Sequence, residues 1–183
     1  EQAIRHQAMH DSMTGLPNRA HILERIAAEL TKHRENGNKL GLLFIDLDGF
    51  KAINDERGHD AGDELLIAVA KRLKNAVRES DLVARYGGDE FLVMLPDITA
   101  TDQATVVAEK IVRRLGQKFR LESGPASIGA SIGVAIFPDH GDTLDDLLSS
   151  ADDAMYKVKE AGKHGVFMAR PVIAEISDDS NAR

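Results

Sequence analysis

The sequence predicts an α+β domain with helices packed on a mainly antiparallel sheet. Three observations point there. Helical and strand-like patterns alternate along the chain. One apolar run, LGLLFIDL, is continuous enough to be a buried central strand. Two further strands are joined by Gly87-Gly88, a spacing that makes an antiparallel hairpin.

Glu1 to Asp11 is polar with scattered apolar residues and reads as the end of a helix arriving from an upstream signalling or linker segment (residues 1–10). Asn18 to Glu35 carries Ala20, Ile22, Leu23, Ile26, Ala27 and Leu30 at helical spacing, and Asn36-Gly37-Asn38 ends it. Leu40 to Leu47 is the central strand. Asn54-Asp55 reads as loop and Gly62-Asp63 as a helix start, within a helix from Asp60 to Glu79 striped by Leu65, Leu66, Val69, Ala70, Leu73 and Val77. Leu82 to Tyr86 and Phe91 to Leu95 form the hairpin, where glycine is expected to supply positive φ. Thr101 to Leu115 is helical, Ile128 to Phe137 is a glycine-containing strand, and Thr143 to Ala161 is the last long helix. Val166 to Ala169 is a short closing strand. The tail from Pro171 (171–183), with SDDSNAR, reads as disordered. Residues 11–170 thus form one domain.

Composition bounds the function. The chain has 183 residues, 43% hydrophobic and 29% charged, enough for one core. No run approaches the ~20 apolar residues of a membrane span, and the start shows no signal-peptide pattern. Cysteine is absent, which excludes disulfides and thiol chemistry. The expected location is cytoplasmic. No initiator Met is present, so a longer protein is expected, and that protein can be membrane-anchored. The net charge of −7 argues against nucleic-acid polymers as partners, though not against a nucleotide bridged by a divalent cation.

Four features can carry chemistry. Arg85-Tyr86-Gly87-Gly88-Asp89-Glu90-Phe91 places two carboxylates at a hairpin tip; on these residues alone a solvated acidic turn is the plainer reading. Asp46 interrupts an apolar strand near its end, where a carboxylate needs a pairing, a cap or a metal. It can cap the next turn or pair with Lys51; beside an acid of the hairpin tip it can hold Mg²⁺. Asn54 and Asp63 suit the guanine edge, since a carboxylate accepts its adjacent N–H donors; Asp63 can equally be a helix N-terminal charge. Arg78-Glu79-Ser80-Asp81 is either a surface ion pair or a guanine-binding fork. His6 and His10 are four apart, with no third ligand evident, and read as a solvated helix face.

Together these residues resemble the GGDEF domain family of diguanylate cyclases. Gly87-Gly88-Asp89-Glu90-Phe91 is the signature itself. Asp11 to Arg19 is similar to the family's opening D-x-L-T-x-L-x-N-R, with Met13 for the first Leu. Phe44 to Lys51, Asn54-Asp55, Gly58-His59 and Ala151 to Lys159 match further blocks in order, so the resemblance runs from Asp11 to Gly165.

The resemblance implies a sheet of about five strands like the palm of nucleotide cyclases and polymerases. It implies Mg²⁺, with Mn²⁺ as a substitute, on Asp46, the Leu47 carbonyl and Asp89. Asp89 takes the proton of the 3′-hydroxyl, and Glu90 assists. Asn54 and Asp63 bind guanine. Gly87 and Gly88 admit the nucleotide. Lys159 and Lys163 hold phosphates, with Lys51 and the Phe50 region lining the phosphate loop. The implied reaction condenses two GTP into cyclic di-GMP with release of pyrophosphate, in a homodimer controlled by an upstream sensor domain. Arg78 and Asp81 are implied as a site where the product inhibits, because Arg78 stands nine residues before Gly87. Lys163 and His164 stand where Arg and Asn are common. The alternatives are a catalytically silent module binding GTP or cyclic di-GMP, a scaffold attached to a phosphodiesterase domain, and a cyclase for another purine.

Overall fold

The structure, a computed structural model, describes residues 1–171. Most of the tail expected to be disordered lies outside the described residues. Helix α1 (Gln2–Met9) leads to α2 (Arg19–Asn36), β1 (Lys39–Asp48), α3 (Phe50–Arg57) and α4 (His59–Ala76). The hairpin β2 (Leu82–Gly87) and β3 (Glu90–Ile98) follows, then α5 (Thr101–Leu115). A short hairpin, β4 (Phe119–Leu121) and β5 (Gly124–Ala126), precedes β6 (Gly129–Phe137), α6 (Leu144–Glu160) and β7 (Gly165–Met168).

Five strands form one sheet in the order β2-β3-β1-β6-β7, antiparallel except for the parallel β6–β7 pair. The apolar run of β1 is central because both its faces are covered. Leu43, Ile45 and Leu47 enter a core shared with α4 and α5, whereas Leu40, Leu42 and Phe44 enter one shared with α2 and α6. Period-two alternation then puts Asp46 and Asp48 on the α6 face of the sheet. Gly133 on β6 permits α6 to lie close, since a Cβ there would collide with the Ala151 carbonyl.

The helix ends follow from local chemistry. Asn18 caps α2 by accepting from the His21 amide at 3.0 Å, and Gly37, at φ 74°, ends it by donating to the His33 carbonyl. Thr143 caps α6, whose first turn holds Asp145 and Asp146 and whose last turn holds Lys157 and Lys159, matching the helix dipole. None of the described helices is long and apolar enough to cross a membrane.

Three details differ from the sequence reading. Asn54-Asp55 is not loop but part of α3, an eight-residue helix with Ile53 its buried residue, too short to display a stripe. The β4–β5 hairpin, three residues per strand, was not foreseen. The helix expected to reach Glu79 stops at Ala76, because Val77 is extended and the Asp81 carboxylate accepts the Arg78 amide at 2.8 Å.

Candidate active site

Asp46 and Glu90 are direct partners across the β1–β3 ladder. Like charges so placed repel, and nothing in strand packing rewards the arrangement. The same ladder brings in the hairpin turn: the Leu47 amide donates to the Asp89 carbonyl at 3.2 Å. Amide and carbonyl of one strand residue point to the same edge, so the Leu47 carbonyl also faces the Asp89 turn.

The turn itself is Gly88-Asp89, with Gly87 opposite Glu90 and a bulge between Arg85 and Gly87. The expectation of positive φ at the paired glycines is not met: neither Gly87 nor Gly88 lies in the left-handed region. At Gly88 an added Cβ would meet nothing within 4 Å. Neither backbone conformation nor packing therefore requires glycine at position 88. What its missing side chain leaves is open space over the turn, where another molecule's atoms can approach the backbone.

The electrostatics are strained in one direction. Burial first, and the Asp46 charge next, push the Asp89 carboxyl above the usual carboxylate range. Burial and then Asp46 and Asp89 raise Glu90 in the same sense. Asp152 on α6, matched in sequence as part of a block but given no role, is raised by burial, by Asp153 and by Asp46. Lys159 answers this charge: its Nζ lies 2.7 Å from Asp46 Oδ2. Burial alone would lower its pKa, but the bond to Asp46 and the charges of Asp46, Asp48 and Asp89 raise it.

One lysine does not satisfy the set. Asp46 Oδ1 is buried and has no hydrogen-bond partner. An orphaned buried carboxylate oxygen beside two more carboxylates and a strand-end carbonyl is a donor set suited to a hard divalent cation. Among the described residues no three acidic or histidine side chains form a ready-made cage. The arrangement instead resembles sites in which carboxylates supply part of the shell and substrate phosphates complete it. Asp46, the Leu47 carbonyl and Asp89, chosen from sequence, thus lie together. Lys51, offered as a partner for Asp46, is exposed on α3, and Lys159 takes that place.

The other candidates lie on α3, α4 and the α6–β7 turn. Gly49, at φ 88°, turns the chain from β1 into α3, whose first turn carries half-buried Phe50 and exposed Lys51. Asn54 packs on Gly62, the residue before Asp63, at the α3–α4 seam, where a Cβ would collide with its side-chain oxygen. Asp63 borders a groove of ≈ 570 Å³ with Arg57, Glu64 and Glu122, which Asn54 does not line. Lys163 is exposed in the turn between α6 and β7.

Arg78 and Asp81 lie at the other end of β2, about 20 Å away by strand rise. The Arg78 guanidinium forks onto Asp81, Nη2 to Oδ1 at 2.9 Å and Nε to Oδ2 at 3.2 Å, and also reaches the Pro96 carbonyl. Arg78 and Asp81 therefore form an ion pair, but beyond the helix end and with Asp81 buried rather than at the surface, and the bond to Asp81 holds the Arg78 pKa above its ordinary value. Arg78 nonetheless borders two surface cavities, of ≈ 310 and ≈ 480 Å³.

The opening block supports the hairpin from outside. Asp11 Oδ2 accepts from both the amide and hydroxyl of Thr14, while Asp11 Oδ1 accepts from Arg85 at 3.1 Å. Arg85 donates in turn to the Gly88 carbonyl at 2.9 Å. This Asp11–Arg85–Gly88 link was missed in sequence, where both ends were matched only as letters. The histidine reading is also amended: His6 and His10 stack at 3.9 Å between centroids, and His21 meets the His10 ring edge-on at 5.4 Å.

Comparison with known proteins places the chain in a family. Residues 8–165 match the family described as diguanylate cyclase, GGDEF domain. The diguanylate cyclase TpbB of Pseudomonas aeruginosa is 44% identical over 162 residues, which cover 88% of this chain and 37% of that protein. The bifunctional diguanylate cyclase/cyclic di-GMP phosphodiesterase MucR of the same organism is 42% identical over 158 residues, covering 86% of this chain and 23% of its own. This chain therefore spans well under half the length of these curated relatives. A solved structure of the TpbB GGDEF domain superposes with a TM-score of 0.86 at 42% identity, covering 88% of this chain and 94% of that one. With the signature turn, the strand-end aspartate and the five-stranded sheet arranged as described, the chain belongs to the diguanylate cyclase GGDEF-domain family.

Proposed function

We propose that this domain is an active diguanylate cyclase, joining two GTP molecules into cyclic di-GMP as a homodimer. The observation that carries the reading is the buried, unpartnered Asp46 Oδ1 facing Glu90 and the Asp89 turn. A fold without substrate gains nothing from such a concentration of charge. A triphosphate with its divalent cation satisfies it.

Each domain would hold one GTP. Asp46, the Leu47 carbonyl and Asp89 would hold Mg²⁺, or Mn²⁺ in its place, which would supply neutralisation of α-phosphate charge and a more acidic 3′-hydroxyl. The Asp89 carboxylate, at the turn facing the strand-end carboxylate, would accept the 3′-hydroxyl proton. The freed oxygen bonds to the α-phosphorus of the GTP on the facing domain. The α–β P–O bond breaks, and pyrophosphate leaves with the electron pair. Repeating the step from the other side closes the ring, so one domain alone cannot finish the product. Glu90 supports the acidic centre. Lys159 and Lys163 hold the phosphates, with Lys51 and Phe50 at the adjoining turn. Asn54 and Asp63 read the guanine edge, and the space over Gly88 admits the nucleotide. Arg78 and Asp81 bind the product and slow the enzyme, since Arg78 combines a fixed fork with flanking cavities.

The decisive experiment incubates the domain with GTP and Mg²⁺ at increasing protein concentration and separates the products by chromatography. Cyclic di-GMP forming at a rate per molecule that rises with concentration is expected. GTP bound but not converted, even when dimerisation is forced by an added coiled coil, would leave a silent nucleotide-binding module. Asp63→Ala should lower the preference for GTP over ATP about tenfold or more, the value of one or two specific hydrogen bonds. Unchanged selectivity would remove Asp63 from the guanine site.

A further inference from the structure

Asp48, two residues after Asp46 on the same face of β1, has a different environment. It is 3% exposed, and its oxygens have partners. Ser131 Oγ donates to the carboxylate at 2.7–2.9 Å, the His164 amide donates to Oδ2 at 3.1 Å, and Lys159 Nζ stands 3.8 Å from Oδ1. One buried carboxylate thus ties β1 to β6, to the last turn of α6 and to the chain entering β7.

The segment it ties is under backbone strain. Gly162, Lys163 and His164 have φ of 113°, 67° and 54°, a run of left-handed residues of which two carry side chains. Such a conformation persists where surrounding bonds over-determine it. Here the Lys163 amide donates to the Val158 carbonyl at 2.9 Å and the His164 amide to Asp48. The His164 imidazole lies directly on Gly129, where an added Cβ would collide with the ring, and its Nδ1 is 3.5 Å from Asp48 Oδ2. Gly129 is the register partner of Asp48 on the neighbouring strand. Absence of a side chain there makes the seat for the ring.

We propose that Asp48 and His164, seated on Gly129, form a latch that fixes the α6–β7 turn and so holds Lys163, together with Lys159, in position to grip the phosphate chain of the substrate. The proposal rests on the reading of both lysines as phosphate-binding groups. Asp48 and His164 are positioning residues: the Asp48 oxygens are occupied by protein donors, so Asp48 is not a ligand of the divalent cation.

The test compares affinities for guanosine 5′-(β,γ-imido)triphosphate and for GMP, both with Mg²⁺, by calorimetry. His164→Ala suits it because the side chain is 59% exposed, so its loss spares the core. Loss of the triphosphate grip by about tenfold, with GMP unchanged, is expected, the size of one charge-assisted hydrogen bond. Gly129→Ala, which displaces the ring, should do the same, and the double variant should be no weaker than His164→Ala alone. Asp48→Asn should show the same selective loss with an unaltered Mg²⁺ midpoint for triphosphate binding. Unchanged triphosphate affinity in His164→Ala, equal losses for both ligands, additive losses in the double variant, or a shifted Mg²⁺ midpoint in Asp48→Asn would each overturn the latch. If the unaltered domain binds both ligands equally, the phosphate-binding reading fails and the latch with it.

Discussion

At the start of β2 an arginine and an aspartate satisfy one another; at the end of the same hairpin, three carboxylates crowd around a single bonded lysine. Asp81 is buried and accepts from the Arg78 amide, Nε and Nη2. Asp46 has one oxygen on Lys159 and the other on nothing, with Glu90 directly across the ladder. The first end is built as a fold builds charge, paired and forked. The second is held in place by the core beneath it, where each buried Leu or Ile contributes about 1.5–3 kcal/mol. A region whose charges fit poorly with one another is stable only at the expense of its surroundings, and such regions are where a ligand completes the structure.

The acidic end of the hairpin governs turnover. Asp46→Ala and Asp89→Ala should each reduce cyclic di-GMP formation by about a thousandfold or more, several kcal/mol of lost charge stabilisation, while circular dichroism shows the fold intact. Substantial activity in either variant would mean that the unpaired oxygen and the raised carboxyl are incidental.

Arg78→Ala addresses the satisfied end. It removes donors from buried Asp81 and should cost the fold about 1–3 kcal/mol, measured by denaturant unfolding. The initial rate should stay as it was, and inhibition by added cyclic di-GMP should weaken. A stability loss with inhibition unchanged would reduce Arg78 to an ion pair.

How much of this was readable beforehand differs between the two ends. Arg78 and Asp81 are three residues apart, so sequence spacing already offered their pairing. Asp46 stood out as one acid in an apolar run, yet its facing of Glu90 depends on a register that only the folded ladder sets. The continuous run of β1 also hid the period-two alternation, because both faces of a central strand are buried. That alternation puts Asp46 and Asp48 on one face and gives them different fates. The fate of Asp48 is decided by Ser131 and His164, 83 and 116 residues away, beyond any local pattern. The signature glycines were legible as a turn but not in their reason, since φ at Gly88 is not left-handed and the space above it is what distinguishes it.

The smallest effect is the one that separates the two ends by sign. Glu90→Gln removes one of two like charges facing each other across β1 and β3 and should stabilise the nucleotide-free domain by roughly 0.5–1 kcal/mol. In a domain of this size that is a rise in Tm of a few degrees. The gain must depend on pH. Burial, Asp46 and Asp89 raise the folded-state pKa of Glu90, so the folded protein holds its proton more tightly than the unfolded chain does. Stability from this group is therefore complete below the ordinary glutamate value and declines as pH rises toward the folded value. Glutamine has no such decline, so the advantage of Glu90→Gln should be absent near pH 4 and fully developed at neutral pH. At the Arg78–Asp81 end the corresponding removal of charge destabilises. If Glu90→Gln instead lowers Tm at neutral pH, the acidic centre is internally satisfied by bonds other than the one to Lys159, and the contrast between the two ends of the hairpin fails.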